Sequence, residues 1–95
     1  MSEPAMHERR EYNRVIFKRE VYLTLPNGKS RSSMSEDFSM YGMGLLTDEQ
    51  LDQGQSLYLD FKILSHDSER EVNLRGKVVY SDPSKGLFKT GIIFY

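Results

Sequence analysis

Alternation of apolar and polar residues with a period of two constrains this chain more than any other feature of its sequence. It is clearest in the segment 57–63, LYLDFKI, where every odd position is apolar. Successive side chains of a β-strand point to opposite faces, so this pattern indicates a strand with one buried face. The same pattern predicts two further strands, with inward faces formed by Val72, Leu74, Gly76, Val78 and Tyr80 in one and by Phe88, Thr90, Ile92 and Phe94 in the other.

Three more strands complete the set. The segment 15–25 has apolar residues at its odd positions except Arg19, which marks either a strand crossover or a bulge. Pro26-Asn27-Gly28 is a tight-turn signal, so the serine-rich segment 29–39 is predicted to be the returning strand. A short apolar strand follows over 42–47.

The connections are predicted to be short. Polar loops are expected at 65–69 and at 82–86. Thr47 to Gln50 has the spacing of a capping box, and Gly54 supplies a stop signal, so a single helical turn is predicted there.

Six short strands with regularly spaced turns favour an all-β fold, a closed six-stranded antiparallel β-barrel with little helix, because closure removes exposed strand edges. We assign the barrel to residues 15–95. Residues 1–14 contain little apolar material and are predicted to be a flexible, arginine-rich N-terminal arm.

Composition excludes several classes of function. The 95 residues include 13 basic and 14 acidic side chains, a net charge of -1, which does not suit a binder of long nucleic-acid polymers. There is no cysteine, which favours a reducing compartment. No apolar run is long enough to span a membrane, and the N-terminus lacks the apolar core of a secretory signal. We therefore expect a cytoplasmic protein without direct membrane insertion.

Catalysis has little support in the sequence. His7 and His66 have no second ligand at metal-binding spacing, and there is neither a nucleophile elbow nor a P-loop. Asp48 and Glu49 are explained by the predicted helical turn. We expect no catalytic residue, no metal, no cofactor and no enzyme activity.

The first cluster that could bind a ligand is Arg9, Arg10 and Arg14, within the arm. Guanidinium groups match phosphate oxygens and the O6/N7 edge of guanine bidentately, and they also stack on bases. A solvated charged tail is the alternative explanation for such a run.

The second cluster is Asp37, Ser39 and Gly42 in the sequence DFSMYG. An aspartate can accept from the N1–H and N2–H groups of guanine, and a serine two residues on can donate to a phosphate. Gly42 is expected to permit a turn that other residues adopt at a cost. The alternative explanation is an ordinary polar turn between strands.

Together the clusters match the ordered pair of signatures RRxxxR and (D/N)xSxxG. On these motifs the sequence resembles the PilZ domain family, whose members bind the bacterial second messenger cyclic di-GMP on a six-stranded barrel. The resemblance runs from Arg9 to Phe94 and includes Gly76 and Gly91, with a GIIF ending that is typical of the last strand.

The resemblance implies a role for each motif residue. Arg9, Arg10 and Arg14 would hold phosphates and the Hoogsteen edges of guanine, while Asp37 would bind the Watson–Crick edge. Ser39 would contact the polar backbone of the ligand, and Gly42 would keep the turn open. The implied function is a bacterial cyclic di-GMP receptor that orders its arm on binding and signals to a protein partner.

Other functions remain as alternatives. The chain could be a PilZ-like protein-interaction adaptor that binds no nucleotide, as some members of the family that lack the motifs are, although both motifs are intact here. A small barrel that binds nucleic acid would need basic and aromatic residues interleaved on one sheet face. Many PilZ domains continue into a helix that covers one barrel end. This chain stops at Tyr95, and we expect one of three explanations. The helix is dispensable here, or a partner or a second copy in a homodimer meets this end of the barrel, or the natural chain is longer.

Overall fold

The structure is a computed structural model that describes residues 15–95, apart from the side chain of Ser65. It contains seven β-strands: β1 Val15–Ile16, β2 Glu20–Thr24, β3 Ser30–Phe38, β4 Gly42–Thr47, β5 Ser56–Ser65, β6 Ser68–Ser84 and β7 Leu87–Phe94. The predicted arm, residues 1–14, lies outside the described residues.

The strands form one closed antiparallel barrel. Neighbouring strands follow the order β3-β2-β5-β6-β7-β4, and pairing of β4 with β3 closes the ring. The two-residue strand β1 adds to β3 beside β2. The prediction of an all-β fold with a six-stranded antiparallel barrel is confirmed.

The barrel core follows from the alternation in the sequence. Inward positions of β2, β4 and β5 supply leucines that are fully buried, such as Leu23, Leu45 and Leu59. The complete set of buried apolar residues is Val21, Leu23, Leu25, Met43, Leu45, Leu51, Leu57, Leu59, Phe61, Val78 and Ile92. Charged side chains remain outside, since an unpaired charge is costly to bury.

The predicted strand 15–25 is interrupted between β1 and β2. Ser35 of β3 bridges the gap with its side chain, because its hydroxyl accepts from the Arg19 N–H at 2.9 Å and donates to the carbonyl of Phe17. Its own N–H donates to the Arg19 carbonyl at 2.8 Å. The irregularity predicted at Arg19 is therefore present, as a three-residue break that a serine hydroxyl bridges.

The helical turn predicted at 47–50 is wrong, and residues 15–95 contain no helix. Thr47 is the last residue of β4, and its hydroxyl donates to the Glu49 carbonyl at 2.8 Å instead of accepting an N–H bond as a capping residue does. Of the described residues, none forms a helix long and apolar enough to cross a membrane.

The inward face predicted for β6 is correct only up to Val78. Pairing with β7 shifts register between Val78 and Tyr80, and this bulge reverses the alternation. Tyr80 is consequently exposed, whereas Ser81 is buried. Both predicted loops are also shorter than expected, because the strands continue to two-residue turns at 66–67 and 85–86.

Candidate functional site

The hairpin between β3 and β4 carries the motif that the sequence singled out. Asp37 and Phe38 end β3, Ser39 to Tyr41 form the turn, and Gly42 begins β4. The Ser39 N–H donates to the Gly42 carbonyl at 2.9 Å and closes the hairpin. The three motif residues on this hairpin are thus brought together by local chain reversal.

The hydroxyl of Ser39 lies inside its own turn. Its oxygen accepts from the N–H groups of Tyr41 at 3.1 Å and Gly42 at 3.2 Å. Its proton faces the Gly42 carbonyl at 3.4 Å, which is long for a hydroxyl donor. With only 8% of its surface exposed, Ser39 supports the turn and retains a weakly used donor.

A bulge turns the carboxylate of Asp37 to the outside of the barrel. Ser33 and Ser35 of β3 are buried, so strict alternation would also bury position 37. The register shift between Ser35 and Asp37 inserts Glu36 as an extra residue, and Asp37 then pairs with Gly44. The Gly44 N–H donates to Asp37 Oδ1 at 3.0 Å and orients the carboxylate.

Gly42 is required by crowding and not by turn geometry. The sequence led us to expect a backbone conformation that favours glycine, but Gly42 is absent from the described residues with positive φ. A Cβ at this position would lie 2.1 Å from the carbonyl oxygen of Ile92 on β7. The residue is therefore glycine because two strands approach closely.

Sequence reasoning did not assign Gly44, Gly91 and Tyr80 to the site. Gly44 pairs with Asp37 on one side and with Gly91 on the other, and Gly91 pairs with Tyr80. A Cβ on Gly91 would lie 2.3 Å from the Tyr80 ring, so that ring covers the glycine. On this outer surface the carboxylate of Asp37 lies against Gly44 and the ring of Tyr80 lies against Gly91, and both glycines are buried beneath them. We call Asp37, Gly44, Gly91 and Tyr80 the glycine shelf.

Phenylalanine rings pack beneath the hairpin. Phe38 contacts Phe17, Phe61 and Phe94, with ring centroids 5.4 to 5.9 Å apart and tilted or edge-to-face geometry. Phe17 also meets Phe61 edge-to-face at 5.6 Å. These distances are within the favourable range for aromatic pairs. Phe38, which lies between Asp37 and Ser39 in the motif, therefore packs the hairpin against the core.

The first described residues lie beside this hairpin. Val15 pairs with Phe38 and Ile16 pairs with Asp37. The predicted ligand residues Arg9, Arg10 and Arg14 precede Val15 and lie outside the described residues. Their predicted roles stay predictions.

The rest of the described surface offers little chemistry for a reaction. Arg19, Glu20, Tyr22 and neighbouring residues line a cleft of about 290 Å³, in which a hydrogen bond to Glu20 raises the pKa of Tyr22. Within residues 15–95 no group of three potential metal ligands comes together.

Asp48 and Glu49, which the sequence placed on a helical turn, instead face Arg31. Its guanidinium nitrogens lie 3.7 Å from Asp48 and 2.7 Å from Glu49.

Comparison with known proteins identifies the family. The model of the PilZ domain family matches residues 8–94. Comparison with curated protein sequences gave no match.

Solved structures with the same fold include three bacterial proteins. The Bacillus subtilis inhibitor of motility, MotI/DgrA, matches with a TM-score of 0.75 and 17% identity over 86% of this chain and 40% of its own. The PilZ domain of CeSA from a cellulose-synthesizing bacterium matches with a TM-score of 0.65 and 18% identity over 86% and 79%. The Borreliella burgdorferi PlzA protein, solved in complex with c-di-GMP, matches with a TM-score of 0.56 and 17% identity over 96% and 38%. This chain thus spans less than half of two of these proteins.

Proposed function

This chain belongs to the PilZ domain family, and on that premise we propose that it is a receptor module that binds cyclic di-GMP and signals to a protein partner. The observation that carries the proposal is the outward carboxylate of Asp37 on the glycine shelf. One of the solved relatives, PlzA, is in complex with the same ligand. We propose a binding role without catalysis.

Asp37 is suited to bind a guanine. Its two oxygens offer about four acceptor sites, and the bond from Gly44 fixes the plane of the carboxylate. The N1–H and N2–H groups of a guanine are donors at matching separation. Because Gly44 and Gly91 have no side chains, the carboxylate of Asp37 and the ring of Tyr80 lie close against the sheet, and we propose that a flat base meets these two groups.

The covalent chain allows the three arginines to reach the same place. Val15 lies opposite Phe38, next to Asp37. Six residues of extended chain span at most about 20 Å, so Arg9, Arg10 and Arg14 are all within reach of the shelf. We propose that their guanidinium groups bind phosphates and the Hoogsteen edges of guanine, and that these bonds order residues 1–14 against the barrel.

Ser39 and Gly42 have supporting roles in the proposed complex. The Ser39 hydroxyl oxygen is used by two backbone N–H groups, whereas its proton makes only the long contact to Gly42. That proton can be donated to a phosphate oxygen without opening the turn. Gly42 keeps β4 close to β7 and so keeps the hairpin in place.

Isothermal titration of the domain with cyclic di-GMP tests the proposal, with GTP and cyclic di-AMP as controls. Charge-assisted hydrogen bonds contribute about 1.5–3 kcal/mol each, so Arg10→Ala or Arg14→Ala should weaken binding roughly ten- to a hundredfold. Lysine at either position should not restore affinity, because an ammonium group lacks the planar fork of donors.

Three results would contradict the proposal. Equal binding of the control nucleotides would remove its specificity, and wild-type affinity in the lysine variants would remove the assigned arginines. No binding of cyclic di-GMP would favour the alternative, a PilZ adaptor that recognises only proteins.

A further inference from the structure

A second surface, on the part of β6 that precedes Tyr80 of the glycine shelf, combines cations with aromatic rings. Tyr58 of β5 pairs with Arg75 of β6, and Lys77 lies two residues further along β6 on the same outer face. Tyr95 follows β7, and its ring contacts both cations. We call Tyr58, Arg75, Lys77 and Tyr95 the tyrosine–cation surface. Asp37 lies on β3, three strands from β6 in the closed barrel, whereas Tyr80 of the glycine shelf lies three residues beyond Lys77 on β6 itself.

The ring of Tyr95 is held in a fixed position. Its hydroxyl donates to Ser56 Oγ at 2.8 Å, and its N–H donates to the Arg75 carbonyl at 3.1 Å. The ring centroid lies 5.5 Å from the Arg75 guanidinium carbon and 5.8 Å from Lys77 Nζ, within the range of cation–π contacts. A surface with its side chains already fixed loses little entropy when it binds a partner.

The two cations have no acidic partner in the described structure. Arg31 and Lys62 form ion pairs with carboxylates, whereas Arg75 and Lys77 form none among residues 15–95. Asp60, the next outward residue of β5 after Tyr58, accepts a hydrogen bond from Asn73. Two positive charges are thus concentrated on a chain whose net charge is -1.

The aromatic members of the surface are open to solvent. Tyr58 is 53% exposed and Tyr95 is 59% exposed. Tyrosine and arginine are the residues that most often dominate the binding energy of protein interfaces. The tyrosine–cation surface therefore has the residue composition that is typical of the centre of a protein–protein interface.

We infer that the tyrosine–cation surface binds an extended acidic segment of a partner protein. Alternate residues of an extended chain are about 6.6 Å apart, so carboxylates two residues apart match Arg75 and Lys77, which have the same spacing on β6. An apolar residue two positions beyond these carboxylates lies on the same face of the extended chain and would meet the tyrosine rings. The inference rests on one part of the proposed function, that the chain signals to a protein partner, and it specifies the chemistry of that partner.

Charge and symmetry disfavour other occupants. A second copy related by a two-fold axis would place this surface against itself and bring like charges together. A nucleic-acid strand is bound by grooves that follow several phosphates, and this surface offers two cations. An acidic protein segment matches the charges without either difficulty.

NMR titration of the labelled chain tests the inference. The probe is the blocked peptide GSDSDSFS, with GSNSNSFS as its uncharged counterpart, so that the phenylalanine lies on the same face of the extended chain as the two acidic residues. We expect the acidic peptide to shift the amide signals of residues 56–58, 75–77 and 93–95, and the uncharged peptide to leave them unchanged. Raising NaCl from about 0.05 to about 0.3 M should weaken binding several-fold, because salt screens exposed charges.

Two matched double variants distinguish binding at this surface from a general effect of the protein's charge. Arg75→Gln with Lys77→Gln should weaken peptide binding about tenfold or more. Lys29→Gln with Lys85→Gln removes the same charge from two turns and should change binding less than about twofold. Titrating cyclic di-GMP into each variant tests the nucleotide site separately, and its affinity should stay at the wild-type value.

The inference is overturned by equal binding of the two peptides, by shifts confined to other residues, or by no shift at millimolar peptide. It is also overturned if a thymidine oligonucleotide binds this surface more tightly than the acidic peptide, or if the same signals shift on raising the protein concentration alone. A failure of nucleotide binding with intact peptide binding would instead count against the receptor proposal.

Discussion

The two ends of the barrel are closed by different chemistry. At the end that carries the motif hairpin, the rings of Phe17, Phe38, Phe61 and Phe94 pack together. At the other end, three buried hydroxyl groups lie under the loop that follows β4. Ring pairs are favourable over a range of tilted and edge-to-face arrangements, whereas a buried hydroxyl group needs specific partners. We call these the phenyl end and the hydroxyl end.

The hydroxyl end forms a hydrogen-bond chain with a single direction. Thr47 donates to the Glu49 carbonyl at 2.8 Å, so at 3.0 Å it must accept from Thr90. Thr90 must then accept from Ser81, at 2.8 Å. The Leu51 N–H donates to Ser81 at 3.1 Å and begins the chain. One loop therefore supplies both the first donor and the last acceptor, with the three hydroxyl groups between them.

The difference between the phenyl end and the hydroxyl end indicates where the barrel can change shape. Reversing or removing one hydroxyl group leaves buried polar atoms without partners, so the hydroxyl end holds its loop in one arrangement. The phenyl end supports Asp37 and the start of β1 by ring packing, together with the pairing of β1 with β3 and the hydrogen bond from Gly44. A site that must close over a ligand is better placed above adaptable packing than above a fixed hydrogen-bond chain.

The largest effect is expected from Gly42→Ala, which disrupts the phenyl end. The new Cβ would lie 2.1 Å from the backbone carbonyl of Ile92, so β4 must move away from β7. We expect a loss of about 3 kcal/mol in the free energy of unfolding, measured by urea denaturation. Gly54→Ala is the control, because a Cβ there has no neighbour within 4 Å and only the φ of +88° is strained. It should cost about 1 kcal/mol. Equal losses would show that crowding is not the reason for Gly42.

Thr90→Val disrupts the hydroxyl end with almost no change of shape. The hydroxyl of Ser81 loses its acceptor and Thr47 loses its donor, so we expect a loss of about 2 kcal/mol in the free energy of unfolding. Thr90→Ser keeps the hydroxyl group and should lose less. Cyclic di-GMP affinity should stay unchanged in both variants, since the Thr90 side chain is buried inside the barrel whereas the Asp37 carboxylate faces outward. A variant with valine that is as stable as the wild type would show that the chain of hydroxyl groups contributes nothing.

The sequence predicted the barrel because alternation carries most of the information about strands. Inward faces were correct wherever the period of two was unbroken, as in β5 and β7. Tyr80 was placed on the wrong face because a bulge depends on the register with β7, which no local pattern shows. The sequence predicts a helix cap at Thr47 because the donor that its hydroxyl oxygen actually accepts from, Thr90, is 43 residues away.

The candidate site could be predicted only as a set of residues. The motif identified Asp37, Ser39 and Gly42, and the hairpin brings them together. The bulge at Glu36, which turns Asp37 outward, requires β4 as a partner strand. The same holds for the glycine shelf, since Gly44 and Gly91 become neighbours only through pairing of β4 with β7.

The smallest effect on folding, and the most specific effect on binding, is expected from Gly44→Ala. The new Cβ would lie 2.9 Å from Asp37 Oδ1, and this neighbour is a side chain that can move. The free energy of unfolding should therefore change by less than about 1 kcal/mol. Displacing the carboxylate should lower cyclic di-GMP affinity about tenfold, which corresponds to about 1.4 kcal/mol.

Asp37→Asn completes this test by separating the position of the side chain from its charge. Asparagine keeps an acceptor for the Gly44 N–H but loses the charge, and its amide nitrogen cannot accept from guanine. Titration calorimetry should therefore show weaker binding in this variant with the hairpin intact. If Gly44→Ala binds cyclic di-GMP as tightly as the wild type while Asp37→Asn does not, the carboxylate binds the ligand from a different position. The ring packing at the phenyl end would then have to allow the Asp37 carboxylate to move. The hydroxyl end, by contrast, holds the loop that follows β4 in one position.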